Sequence, residues 1–278
     1  LTTRPDQIKT LRQTILNLAV RGKLVEQDPT DEPAANLLER AIAAKQSIRA
    51  ERRIGRSEYP EFSESACEPS LPGHWVSAYL ADFGLVLGGK RLPAGASFSA
   101  EPTDHIYIRV TDMKNGTILS DGLKYIAPEV QKHIEKYTID RDDIYITIAG
   151  TIGDVGNVPE NLHGHNLTEN AAKIVFREID REFLILVLRS QDVQDQFTEK
   201  TKQMAQPKLA LKRILGARLP LPPLAEQYRI VAKVDALMAL CDQLEASLTT
   251  TVSTRCKLLN ALLHEALEPA ADEKVAAE

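Results

Sequence analysis

Residues 219–248 read LPLPPLAEQYRIVAKVDALMALCDQLEASL. Pro220, Pro222 and Pro223 close off what precedes them and leave Leu224 free to open a helix, since proline is tolerated only in a helix's first turn. From there Ile230, Val234, Leu237, Cys241, Leu244 and Leu248 recur at steps of 4, 3, 4, 3 and 4. Alternating steps of 4 and 3 repeat every seven residues, a period of about 3.5, the signature of a seam between supercoiled helices. The register weakens through Thr251 and Arg255 and recovers at Leu258 and Leu262. One helix over Leu224–Leu267 is therefore predicted, about 65 Å long at the usual rise per residue. No small domain buries such a rod, so it calls for partner helices.

Upstream, Ile8, Leu11, Ile15 and Leu18 form one stripe of a helix over residues 8–20. Gly22 stands where a C-cap glycine belongs, with Arg21 and Lys23 beside the negative helix end. Residues 27–32 read as a turn, and a second helix is expected to start with Asp31 as N-cap and Pro33 in its first turn. Its apolar face is Ala34, Leu37, Leu38, Ala41, Ile42 and Ile48. Residues 57–70, polar, acidic and proline-bearing, read as a linker. From Leu71 the texture changes to short β-like runs at Tyr107–Val110, Ile118–Leu119, Asp143–Ile148 and Ala172–Phe176, separated by turns such as Asn115-Gly116 and Asp121-Gly122. Residues 182–199 read as a helix. The fold class is α+β: a mixed domain over residues 71–221, preceded by a helical region (1–56) and followed by the long coiled-coil helix (222–268) and a tail (269–278) expected to be disordered. The apolar pattern of Leu11–Val20 returns in Leu258–Leu267, as chance between two amphipathic helices or as a repeated unit.

The 278 residues, 43% hydrophobic and 26% charged, are long enough for one or two domains with proper cores. No apolar run is long enough to span a membrane, and the N-terminus lacks a signal pattern. Cys67, Cys241 and Cys256 share no metal-like spacing, and a reducing cytoplasm is the simplest compartment. The net charge of −5 argues mildly against a nucleic-acid partner, but the charge is polarised. Lys200, Lys202, Lys208, Lys212, Arg213 and Arg218 fall in one stretch without an acidic residue. Lys45, Arg49, Arg52, Arg53 and Arg56 form a second basic cluster, while Asp140, Asp142 and Asp143 gather elsewhere.

A catalytic set is not found. Gly150-Thr-Ile-Gly-Asp-Val-Gly156 matches neither a dinucleotide fingerprint nor a P-loop and reads as a tight turn. His163 and His165 lack a third metal ligand and read as an exposed loop. Asp142 and Asp143 have no companion base and read as a solvated turn. The basic stretch is more informative. Lysine and arginine neutralise phosphates, and Gln203 and Gln206 suit adenine edges; a solvated basic surface is the plainer reading. Loop residues of the same domain could join them: Lys90, Arg91, Arg109, Thr111, Lys114, Thr151, Asn166, Thr168 and Asn170.

The stretch Leu219–Glu245 closely resembles the specificity subunit of type I restriction–modification systems, at the junction where a target recognition domain passes into a long conserved helix. Leu11–Asp28 with Asp31-Glu-Pro33 resembles the helical region before such a domain, and Leu71-Pro-Gly-His-Trp75 its opening. Ala149-Gly-Thr-Ile-Gly153 and Gln206-Pro-Lys-Leu209 resemble loops within it. The resemblance implies a non-catalytic subunit with two recognition domains, each reading half of a split DNA target. Two antiparallel helices hold them apart and dock the modification (methyltransferase) subunits. Those subunits carry S-adenosylmethionine and methylate adenine, while a restriction subunit adds translocation and cleavage. No cofactor is expected in this chain.

One domain and one long helix are present where the family has two of each. A half-subunit that homodimerises or pairs with a second half, a split product and a fragment are the three explanations. In a homodimer the seam Ile230–Leu248 would meet its two-fold mate. Two other readings compete: the recognition portion of a fused type II restriction–methylation enzyme, and a coiled-coil scaffold that binds only protein.

Overall fold

The computed structural model describes residues 5–52, 54, 71–198 and 208–267. The linker 57–70, the tail 269–278, Cys67, Arg53, Arg56, Lys200, Lys202, Gln203 and Gln206 lie outside them. Eight α-helices are present among these residues: α1 (Pro5–Ala19), α2 (Ala34–Glu51), α3 (Leu80–Phe83), α4 (Pro128–Ile134), α5 (Arg181–Arg189), α6 (Gln191–Thr198), α7 (Leu211–Leu215) and α8 (Leu224–Leu267). The strands are β1 (Val76–Tyr79), β2 (Leu85–Gly88), β3 (Ile106–Ile108), β4 (Met113–Lys114), β5 (Thr117–Ile118) and β6 (Lys124–Tyr125). They continue with β7 (Thr138–Ile139), β8 (Ile144–Thr147), β9 (Val155–Asn157), β10 (His165–Leu167), β11 (Ala171–Val175) and β12 (Arg218–Leu221).

Two compact units divide the chain, one formed by residues 16–233 and the other by the first turns of α1 with α8 from Val234 onward. In the larger unit, β2-β11-β8-β9 make an antiparallel sheet. A second sheet, β6-β3-β10-β7, contains one parallel pair, β3 with β10. The strands of the first sheet are apolar on both faces: every residue of β8 and β11 is buried. Such runs read as continuous hydrophobic stretches, as strands covered on both sides do. Asn115 (φ 54°) and Gly116 (φ 77°) join β4 to β5 in left-handed backbone, the two-residue hairpin that Asn-Gly favours.

Three departures from expectation have local causes. Asp31 does not cap α2, which begins at Ala34 behind Pro33; its carboxylate takes a two-pronged contact from Arg229 at 3.2 and 2.5 Å. The helix expected over residues 182–199 is two helices, Arg181–Arg189 and Gln191–Thr198, because Ser190 leaves helical backbone and turns its hydroxyl onto the Val187 carbonyl. Asp143 is not in a solvated turn. It is buried and pairs with buried Lys173 at 3.1 Å, while Arg52 bridges Asp140 at 2.9 Å and Asp143 at 3.6 Å. Burial drives the Asp143 carboxyl above its ordinary range, against the pull of Lys173. Only Asp142 of that acidic group is exposed as expected.

The segments on either side of the mixed domain meet at one buried carboxylate. Glu226, in the first turn of α8, accepts from Trp75 Nε1 at 2.9 Å and from Gln27 Nε2 at 2.6 Å. Burial pushes its carboxyl up, and these two bonds hold it part way back. Next to it, Gln227 accepts from the Asp180 backbone at 2.9 Å and donates to Pro222 O at 3.0 Å. β1 and β12 pair antiparallel from Val76↔Leu221 to Tyr79↔Arg218, zipping the two ends of the domain. Gly22 (φ 64°) adds to the same corner: a Cβ there would fall 2.4 Å from the Pro72 ring.

α8 runs unbroken over the span that the heptads predict. Along it Ile230, Val234 and Cys241 are buried, Leu237 and Leu248 are half-buried, and Leu244 is 45% exposed. In the smaller unit Arg12 of α1 donates to Asp242 at 2.6 Å and Glu245 at 2.9 Å, so α1 lies alongside this stretch. Part of the seam expected to meet another molecule is thus covered from within the chain. Leu240, Val252, Leu258, Leu259, Leu262 and Leu263 are exposed. Both members of the apolar echo are helical, in α1 and at the end of α8.

Replacing Glu226 by alanine would strand two buried donors, and a loss of about 3 kcal/mol is expected. Urea denaturation checks it; an unchanged midpoint would mean that the corner is held by other contacts.

Candidate nucleic-acid interface

At one end of the larger unit several strand ends and loops converge. The β2 strand leads into Gly89, where a Cβ would sit 2.1 Å from the Thr168 carbonyl; the two loops can approach only because glycine is there. Backbone bonds lock them together: Gly89 N donates to Ala171 O at 3.0 Å and Lys90 N to Leu167 O at 2.9 Å. The β8–β9 turn is tied in through Asn170, whose carbonyl accepts from Ile148 and Ala149 at 2.8 and 3.1 Å. That turn is tight as expected, with Gly150 and Gly153 in left-handed backbone. Lys208 bridges to Ala149, and its ammonium donates to Glu169 O at 3.1 Å.

These loops surround an open concavity of about 390 Å³ lined by Arg91, Leu92, Phe98, Tyr107, Arg109, Val110, Thr111, Thr168, Glu169 and Asn170. Five residues singled out in the sequence, Arg91, Arg109, Thr111, Thr168 and Asn170, are brought together here. Lys90 and Lys208 adjoin them; Lys90 stands 5.6 Å over the Tyr137 ring. Thr151 is exposed in the neighbouring turn, where a Cβ on Gly150 would touch Val110. Lys212 is exposed on α7, whose Leu211 sits over Gly88 at the end of β2.

Not every candidate is free to meet a ligand. Arg109 is braced by buried Asp112 at 2.6 and 3.2 Å and by Gly122 O at 3.0 Å. Arg213 reaches Gln196 O at 3.5 Å. Asn166 is buried, and its amide donates to Ile134 O at 2.8 Å, so it belongs to the interior and not to the exposed face. Lys114 lies on the β4–β5 hairpin and does not line the concavity. In the second basic cluster Lys45 donates to Ala81 O and Arg52 is paired with Asp140, so these two are spent on structure. Burial, aided by nearby Arg49, pushes the Lys45 ammonium below the usual lysine range.

The sequence reading missed five residues of the concavity, the apolar Leu92 and Val110 and, with more consequence, Glu169, Tyr107 and Phe98. Glu169 is the carboxylate at its centre. Arg91 Nε donates to one of its oxygens at 2.8 Å; Thr168 Oγ and Tyr107 OH donate to the other at 3.0 and 3.2 Å. Partial burial opposes its ionisation, but the bonds from Arg91, its own backbone, Thr168 and Tyr107 outweigh that and hold the carboxyl below the usual range. Tyr107 is buried, and the exposed Phe98 packs on it at a ring separation of 5.8 Å. Glu169 stands between two residues picked for neutral polarity, and a search weighted toward basic side chains passes over it.

Among the described residues no cluster suited to a metal ion is found, and no helix is long and apolar enough to cross a membrane. His163 is exposed, but His165 lies in β10 and accepts from the Ile106 backbone at 3.3 Å, so the pair is not one loop.

The fold, a mixed α+β domain followed by a long helix, is similar to that of solved structures. The structure is similar to the HsdS subunit from Thermoanaerobacter tengcongensis, at a TM-score of 0.51 and 18% identity over 94% of this chain and 56% of that one. It is also similar to a chain from a study of complex assembly and conformational transition of the type I R-M system, at a TM-score of 0.57 and 18% identity over 94% and 57% of the two chains. These likenesses show the fold. Residues 72–253 match the type I restriction modification DNA specificity domain, and the chain belongs to that family. The EcoBI specificity subunit of Escherichia coli is 30% identical over 94% of this chain and 50% of its own length. The EcoAI subunit is 27% identical over 96% and 46%. The chain thus spans about half the length of these relatives.

Proposed function

We propose that this chain is a sequence-specific DNA-recognition and scaffold subunit of a type I restriction–modification complex. The family match carries the reading. The concavity lined by Arg91 and Arg109, with Lys208 bonded to the backbone of its Glu169 and Lys90 preceding Arg91, supports it, because cations position a protein on phosphates while neutral polar groups beside them address base edges. In this reading the mixed domain reads one half of a bipartite target. The chain itself performs no chemistry. Modification subunits, holding S-adenosylmethionine, methylate adenine, and a restriction subunit joins the same complex. Lys200, Lys202, Gln203 and Gln206 belong to the same proposed surface on the strength of the sequence alone. The compartment that fits is the cytoplasm, where the DNA is.

The exposed apolar residues of α8 from Leu240 to Leu263 are read as the docking face for a second copy of the chain, whose own α8 would run antiparallel to it. Light scattering at micromolar concentration should find a dimer, and Leu258→Glu with Leu262→Glu a monomer. A monomeric native chain would contradict the pairing.

If about 6 phosphates are contacted, affinity for duplex DNA should fall on the order of 10³-fold between roughly 50 and 200 mM salt. Alanine at Lys90, Lys208 and Lys212 together should weaken binding to all sequences alike and flatten the salt slope by about 3 contacts. Fluorescence anisotropy with the modification subunits present measures both. Binding indifferent to salt and to these lysines would contradict the proposed surface.

A further inference from the structure

We propose that Glu169 is a specificity-determining residue that reads a cytosine in the target's major groove, with Arg91 as its displaceable guard. The inference rests on the DNA-recognition reading above. A carboxylate on a surface meant for phosphates repels its ligand unless it has an amino group to meet. Cytosine N4 is the base-edge donor that a carboxylate suits, since an ionised carboxylate only accepts.

The two oxygens of Glu169 are held in different ways. One accepts from Thr168 Oγ and Tyr107 OH, on two side chains that are themselves buried, so the carboxylate plane is set from behind. The other accepts from Arg91 Nε at 2.8 Å, on a side chain 79% exposed. An exposed ion pair contributes little stability, so Arg91 can leave at small cost. Its departure would open a pre-aimed acceptor toward the concavity. The freed guanidinium would remain within reach of the same site, where guanine O6 and N7 or a phosphate would accept from it. A G·C pair carries both the donor that Glu169 needs and the acceptors that Arg91 needs.

The one proton of the Tyr107 hydroxyl is shared between Glu169 at 3.2 Å and Lys90 O, the shorter contact at 2.8 Å, which ties down the loop that carries Arg91. Guard and reader are therefore mounted on one rigid frame. The exposed Phe98 packs on Tyr107 with its ring tilted by 53°.

The test uses the full chain assembled with its modification subunits and a pool of random-sequence duplexes, with the bound fraction selected and sequenced. The native complex should return a motif containing a cytosine at one position. Glu169→Gln, whose amide both donates and accepts, should lower preference for that cytosine on the order of 10-fold and move it toward adenine. Glu169→Ala should leave that position unread, and Arg91→Ala should relax it or the base pair beside it, with the salt slope of Glu169→Gln unchanged. Thermal unfolding of each variant, matched to the native chain, establishes that the frame is intact, and Glu169→Asp serves as a second carboxylate should either neutral variant fail to fold. If Glu169→Gln, Glu169→Ala and Glu169→Asp, where folded, all return the native motif at every position, the inference is overturned while the recognition reading stands. A native complex that selects no motif at all would overturn both.

Discussion

The buried carboxylate of Glu226 is the contact on which the larger unit depends. It lies in the first turn of α8 and takes one hydrogen bond from Gln27, ahead of α2, and one from Trp75, ahead of β1. Three segments far apart in sequence are thereby joined at a single point, and Arg229 to Asp31 repeats the join one turn further along α8. The charge makes the joint selective: a buried carboxylate needs donors, so a register that failed to bring Trp75 and Gln27 to it would leave it uncompensated. The β1–β12 pair then follows, because Trp75 leads directly into β1 and Pro222 directly out of β12. A recognition domain inserted between two such ends can vary in its loops while its mounting stays fixed.

The strut was legible because it obeys short-range rules. Proline at 222–223 and the 3.5-like spacing from Ile230 are enough to place α8, since helix periodicity depends on near neighbours. Asn115-Gly116 and Gly22 were legible for a similar reason, left-handed backbone being a local demand. Sheet order was not, because β3 pairs in parallel with β10 across nearly sixty residues, and no periodicity encodes which strand lies beside which. Asp143 was misjudged on the same account. Its partner Lys173 sits on another strand, and only the β8–β11 register makes the acidic turn an interior ion pair. Asp31 read as a cap by sequence position, yet its partner was a guanidinium on a helix almost two hundred residues away.

The candidate site shows the same division. Most of its rim was readable from charge and polarity, and the structure gathers five of those residues around one concavity. Asn166 failed because polarity in a strand says nothing about which face it occupies; in β10 it faces the interior. Glu169 was passed over because a basic surface was being sought. The reason it belongs there, donors fixing one oxygen and an exposed arginine on the other, exists only in three dimensions. Along α8 the burial of Val234 and Cys241 and the exposure of Leu258 and Leu262 divide a seam that is uniform in sequence into a part already covered and a part left bare.

The central claim is that this chain chooses the DNA sequence on which a modification subunit acts. Methylome sequencing of a host expressing this chain with its modification subunits tests it directly. The account predicts adenine methylation at one discrete split motif that vanishes when this chain alone is omitted. A methylation pattern indifferent to the presence of the chain would contradict it.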